Sequence, residues 1–151
     1  MDAEMMETIR QNVRYQRIRQ NINSEKMSIR LGHSKTWITQ FERGRIITLS
    51  EKDLAAITKL LGVRLRDLIK PIPGLIMEVT PEEAEFGIKN LDKIRERRKK
   101  SDYQFSKDLG IFPGRFNKVK NGYANFGIKT WWQISEALDV PLATLIGREA
   151  K

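Results

Sequence analysis

Four polar residues early in the chain carry the chemistry to read the hydrogen-bonding edge of another molecule. Lys35, Thr36, Thr39 and Gln40 fall on the outer face of a short segment whose buried stripe is Ile38 and Phe41. A glutamine amide can make paired hydrogen bonds to adenine, a lysine can donate to guanine, and a threonine methyl can meet the methyl of thymine. Arg43 and Arg45 follow directly and suit phosphates beside a groove, where backbone contacts position a protein and base contacts specify sequence. Taken one at a time, each of these side chains is an ordinary solvated group; their grouping on one face makes them a candidate reading surface.

Other chemistries find little support. The 151 residues contain no cysteine and one histidine, His33, so disulfides, zinc fingers and thiol chemistry are not expected. His33 follows Gly32 and reads as a partly exposed turn residue. No glycine-rich phosphate loop and no carboxylate pair with catalytic spacing stand out, so we expect no enzyme, no cofactor and no metal. No apolar run reaches the length of a membrane span, and Met1-Asp2-Ala3-Glu4 lacks the basic and apolar regions of a signal peptide. A cytoplasmic, nucleoid-associated protein is the expectation. The chain holds 28 Lys plus Arg against 19 Asp plus Glu, a net charge of +9, which suits a polyanion. The part through Leu75 carries 14 basic and 8 acidic residues, the rest 14 and 11, so the stronger electrostatic signal lies in the first.

The elements that must position the reading surface occur twice. Leu31-Gly32 lies over Leu109-Gly110 and Gly44 over Gly122, at a constant offset of 78. Each segment reads as short helix, glycine turn, second helix, glycine stop, the layout of a helix-turn-helix, whose second helix can enter the major groove. The likeness extends back to Asn12–Arg17 over Asn90–Arg95. It extends forward to Ile57–Val63 over Ile134–Val140, where the offset is 77 and one loop is a residue shorter. Both copies end in an apolar pair, Leu68-Ile69 and Leu145-Ile146. We therefore expect an all-α fold of two tandem five-helix domains, 1–72 and 80–151, joined by a linker at 73–79 that contains Pro73 and Gly74. The stretch Leu75–Val79 is expected to extend between the domains or to pair with a second chain.

In the first copy, helix one should run from about Met6 to Gln20. Asn23 or Ser24 should cap helix two, with Met27 and Leu31 facing the core, and Gly32 should end it. Ser34 is the expected cap of helix three, and Gly44 its stop. Trp37 either packs its ring over a neighbouring helix or touches sugar-phosphate or a partner subunit. Residues 23–44 closely resemble the Cro/C1-type (XRE) helix-turn-helix family of phage repressors and bacterial regulators, and the likeness covers nearly all of 9–69. Its most specific part is Leu31-Gly32-His33-Ser34-Lys35 followed by Ile38 and Phe41-Glu42-Arg43-Gly44. The resemblance implies a five-helix bundle of the phage-repressor type that binds double-stranded DNA as a homodimer. It places base reading on Lys35, Thr36, Thr39 and Gln40 in a helix spanning 35–43, and phosphate contacts on Ser24, Arg43 and Arg45. It pairs Arg17 with Glu42 as a structural ion pair. Ser24 departs from the glutamine usual in the family, which shortens or removes that contact.

The second copy keeps the frame and changes the surface. Thr80-Pro81-Glu82-Glu83 and Ser101-Asp102-Tyr103-Gln104 are helix starts with capping-box logic, the first helix running to about Lys99. Phe105, Leu109, Ile111, Phe116 and Val119 should supply a core closed by Trp131 or Trp132 with Ile134 and Leu138. Phe112, Pro113 and Gly114 stand at the positions of Ser34, Lys35 and Thr36, so two reading side chains are lost. Lys120 replaces Glu42, which should leave Arg95 without its acid and facing like charge. Arg115, Asn117, Lys118 and Lys120 could still hold phosphates. The domain is expected either to bind DNA weakly beside the first or to dimerise or bind a protein partner through Phe112, Tyr123, Phe126 and an exposed Trp. The whole reads as a sequence-specific transcriptional regulator, by family analogy a repressor. The alternative is a protein-binding adaptor or inhibitor from a mobile element, using its N-terminal domain for autoregulation.

Overall fold

Asp2, Asn23, Ser50, Thr80 and Ser101 each turn a side-chain oxygen onto the backbone N–H three residues on, and each opens a helix. Short polar side chains do this because the first N–H groups of a helix lack internal partners. In the computed structural model, which describes residues 2–148, the chain is all-helical. The elements are α1 (Ala3–Arg19), α2 (Ser24–Arg30), α3 (Trp37–Glu42), α4 (Glu51–Leu61) and α5 (Leu65–Ile69). The same order then recurs as α6 (Pro81–Arg97), α7 (Asp102–Asp108), α8 (Arg115–Lys120), α9 (Ile128–Leu138) and α10 (Leu142–Leu145). Helix α1 begins three residues before the expected Met6 because Asp2 caps it, and α6 stops at Arg97. Stops recur too: Asn21 and Lys99, 78 apart, both take positive φ, of 58° and 55°, after α1 and α6.

The chain divides after Leu75 into two units, each with its own core. In the first, Ile9, Val13, Met27, Ile38, Phe41, Ile57 and Leu68 are fully buried. Asn12, buried on α1, donates to the carbonyls of Leu68 and Lys70, both at 2.8 Å, and so ties α1 to the end of α5. Asn90 repeats the device on α6 with the Leu145 carbonyl, at 2.9 Å.

In the second unit the core is Leu91, Phe105, Leu109, Phe116, Trp131 and Ile134 with α10 over it. Trp131 is the buried tryptophan, and it stands where the first unit has Leu54. The extra volume is accommodated opposite: Gly87 replaces Ile9, and a Cβ on Gly87 would lie 2.8 Å from the Trp131 ring. The stretch expected as linker is partly core. Ile76 is buried in the second unit, its carbonyl accepts a 2.8 Å bond from Trp132 Nε1, and Val79 packs beside it. Its polar backbone is met by side chains of that unit, since the Glu78 carbonyl also accepts from Arg148 at 3.1 Å.

Candidate nucleic-acid interface

Helix α3 is too short to hold itself, so its pose depends on what anchors it. Gly32, at φ 82°, makes the turn after α2, a left-handed position that glycine occupies without a Cβ penalty. The helix begins at Trp37 and not at Lys35. Lys35 and Thr36 lie in the turn before it, and Ser34 supplies only its carbonyl, to Trp37 N–H at 3.0 Å. The side-chain cap expected of Ser34 is absent, since α3 has no side-chain bond at its N-terminus. Its place is taken by Ser28, fully buried on α2. The Ser28 Oγ accepts from Ile38 N–H at 2.9 Å and donates to the Ser24 carbonyl at 2.8 Å. A buried hydroxyl from the neighbouring helix satisfies a donor that a local cap would not reach.

Two further anchors hold α3. Arg17 Nε and Nη2 donate to the two oxygens of Glu42 at 2.7 and 2.8 Å, a bidentate pair, while Nη1 donates to the Ile22 carbonyl. At the other end, His33 stacks on Trp37 with centroids 4.1 Å apart, and Trp37 stacks on Phe41. His33 Nε2 lies 2.7 Å from Asp53 Oδ1, linking the turn to the first turn of α4. Trp37 therefore packs its half-buried ring inside its own unit. With Ile38 and Phe41 buried, Lys35, Thr36 and Gln40 are exposed and Thr39 half-buried. Gln40 donates to Thr36 Oγ1 at 3.2 Å, so these two share the surface. Arg43 and Arg45 are exposed, and no ion pair holds either among the described residues. Ser24 is half-buried at the start of α2.

The second unit repeats the scaffold and inverts the surface. Ser106 copies Ser28: its Oγ accepts from Phe116 N–H at 3.2 Å and donates to the Asp102 carbonyl at 3.0 Å. Arg95 keeps the equivalent carbonyl bond, to Lys100 at 2.9 Å. Arg95 does not lose acidic partners, contrary to the expectation from Lys120. It lies 2.9 Å from Asp92 and 3.1 Å from Asp102, and Lys120 shares both acids, at 3.4 and 2.9 Å. Two cations and two carboxylates replace one pair. Hydrogen bonding to Asp92 raises the Arg95 pKa. Burial works to raise that of Asp102, but bonds from Asn117 and Lys120 outweigh it and the net shift is downward.

This network uses up side chains proposed for phosphates. Asn117 donates to Asp102 at 2.8 Å, Lys120 is held as described, and Arg115 donates to the Asn125 carbonyl at 2.9 Å. Only Lys118 of the four is exposed without such a bond. Asp102, which in the sequence stands only as part of a helix start, is the centre of this network. It aligns with Ser24 at the offset of 78, so a carboxylate stands where the first unit has a phosphate candidate. Of the expected surface aromatics, Phe112 and Tyr123 are each 84% exposed, whereas Phe126 packs edge-on against Trp131 and Trp132 is half-buried. A shallow groove lies along α6 over Ile88 and Gly122. The first unit has Arg10 at that position, reaching over Gly44 to the Ile46 carbonyl.

Among the described residues no cluster of His, Cys, Asp and Glu could hold a metal ion, and no helix is long and apolar enough to cross a membrane. The chain matches no protein-family model, no curated protein and no solved structure.

Proposed function

We propose that the chain is a sequence-specific transcriptional regulator of the Cro/C1-type (XRE) family, with two tandem helix-turn-helix domains, that binds double-stranded DNA through the first. Helix α3 and the turn before it enter the major groove. Lys35, Thr36, Thr39 and Gln40 read base edges, while Ser24, Arg43 and Arg45 meet phosphates. It acts as a repressor by occupying promoter DNA, as a homodimer on two half-sites, in the cytoplasm at the nucleoid. The observation that carries this reading is the asymmetry of α3. Its inner side is fixed by Ser28, Glu42 and the His33–Trp37–Phe41 stack, while its outer side is polar, with Gln40 and the two arginines after the helix exposed and Thr39 half-buried. Such preorganisation suits a rigid reading head.

The test is a gel shift on the DNA upstream of the chain's own gene, with Gln40→Ala beside the unaltered protein. Losing a paired base contact should cost about 1–3 kcal/mol on the best site and little on random duplex. Equal losses on both would make Gln40 a positioning residue, and no duplex binding at all would overturn the reading. A second reading, a protein-binding adaptor or mobile-element inhibitor whose first domain serves autoregulation, is favoured by Phe112 and Tyr123 standing exposed in the second unit.

A further inference from the structure

Among the described residues of the second unit, the large hydrophobic side chains left exposed are all aromatic: Phe86, Tyr103, Phe112 and Tyr123. The last three occupy the positions of Glu25, Ser34 and Arg45, which surround α2 and α3 in the first unit. Contacts place the segments that carry these three next to α8. The Asn117–Asp102 bond brings α8 to the start of α7, beside Tyr103. The Arg115–Asn125 bond folds the following loop back along α8, and Tyr123 N–H bonds the Lys118 carbonyl at 2.8 Å. Phe112 sits at the opening of α8, its carbonyl accepting from Arg115 N–H.

The charge of this face is one-sided. Residues 109–135 contain no Asp or Glu, Lys107, Arg115 and Lys118 are exposed, and Lys107 lies 4.8 Å over Tyr103. The two acids of α7 are both paired: Asp102 with Lys120 and Arg95, and Asp108 with Arg98 at 3.9 Å and Lys100 at 3.7 Å. Three occupants can be weighed. A second copy pairing through the same face would set these cations against themselves. Nucleic acid would meet Asp102, Asn121 and Tyr123 where the first unit offers Ser24, Arg43 and Arg45 to phosphates. An acidic protein segment with apolar anchors matches both the rings and the lysines, since aromatic side chains are the usual energetic centres of protein contacts.

We propose that the face formed by Tyr103, Phe112 and Tyr123 with Lys107, Arg115 and Lys118 is a docking surface for an acidic protein segment carrying aromatic or large aliphatic side chains. The inference deepens the adaptor reading and is independent of duplex binding by the first unit.

The probe is a random peptide display library panned on the full chain, and on the full chain carrying Phe112→Ser, Tyr123→Ser and Lys118→Glu. Enriched peptides should combine Asp or Glu with aromatic or aliphatic residues. Synthetic copies should bind the unaltered chain and lose about tenfold or more in affinity on the triple variant. Lys118→Glu alone should weaken them and Lys118→Arg should not. The helical circular dichroism of each variant should be unchanged, because the altered side chains are exposed. Duplex binding at the best site, weakened in Gln40→Ala, should be unchanged in the triple variant, which keeps the two questions apart. Four results would overturn the proposal: no enriched peptide; enriched peptides without acids; peptides that bind the triple variant equally; and a mixed-sequence single-stranded oligonucleotide, or self-association in sedimentation, that depends on Phe112 and Tyr123.

Discussion

Ser28 and Ser106 do the same work in two places, each a buried hydroxyl that accepts the first inward N–H of the next helix. Replacing Ser28 by alanine strands the Ile38 N–H in the core, which should cost about 1–3 kcal/mol. Urea unfolding would measure it, and a loss within error would mean that water reaches the site. The two serines were visible in the sequence at an offset of 78, yet a serine in a helix reads as a weak helix former. Nothing local says that its partner lies ten residues away. Arg17 and Glu42 are a different case, because the resemblance named the pair and the structure makes it bidentate, with side chains 17% and 8% exposed. Glu42→Ala leaves the guanidinium without its acid and should cost about 2–4 kcal/mol, at or below the figure for a fully buried pair. The midpoint of thermal unfolding should fall in that variant even without DNA, and an unchanged midpoint would remove the pair as a support for α3. In the second unit a single substitution, Lys120 for Glu42, read as like-charge conflict. Asp92, three residues before Arg95 on α6, and Asp102, at the start of α7, resolve it; the first lies within local reach of Arg95, and the second is brought in by the fold.

Helix existence was legible because apolar spacing, caps and glycine stops agree, as at Thr80-Pro81-Glu82-Glu83 and Gly32. Helix boundaries were less so. The start of α3 lies past Lys35 and Thr36 because the turn closes through the Ser34 carbonyl, so two of the four side chains proposed to read bases sit on a turn and not on the helix. What closes the second unit was also hidden. Glu83, in the capping box of α6, takes two bonds from Arg148, at 2.6 and 2.7 Å, across 65 residues of chain. Those bonds, then the Thr80 backbone N–H, lower the Glu83 pKa from 4.5 to about 2. A carboxyl whose value falls on folding adds stability that is complete above the unfolded value and is lost as pH drops through the folded one. Glu83→Gln keeps an oxygen for the cap and removes the charge. The stability gap between the two proteins should therefore be steady above pH 4.5 and close between 4.5 and about 2. Arg148 is nearly half exposed, so salt should shrink the gap as well. A gap that persists at the acid end would assign it to packing and not to charge.

At the scale of the whole molecule, the question is how much of the net charge of +9 is a footprint for duplex DNA. Composition alone cannot distinguish a lysine aimed at phosphate from one aimed at a carboxylate of its own chain. The structure separates them by residue: Arg43 and Arg45 stand clear, whereas Lys120 and Asn117 are committed to Asp102 and Arg115 to a carbonyl. Each phosphate neutralised by a cation contributes about 0.9 to the slope of log affinity against log salt, because a bound counterion is released. Under the proposed function, Arg43→Ala and Arg45→Ala should each reduce that slope by about one unit on any duplex sequence. Lys120→Ala should leave it in place because Asp92 and Asp102 hold that ammonium, and Lys118→Ala should do so because its face is proposed to take a protein segment. The Lys120 substitution should show instead in unfolding, since it removes a partner shared by Asp92 and Asp102. Binding isotherms over a range of salt concentrations measure all four slopes. Equal reductions from the two lysines and the two arginines would mean that the second unit lies on the duplex too. The network around Asp102 would then have to open on binding, and the face around Phe112 and Tyr123 would belong to DNA and not to a protein.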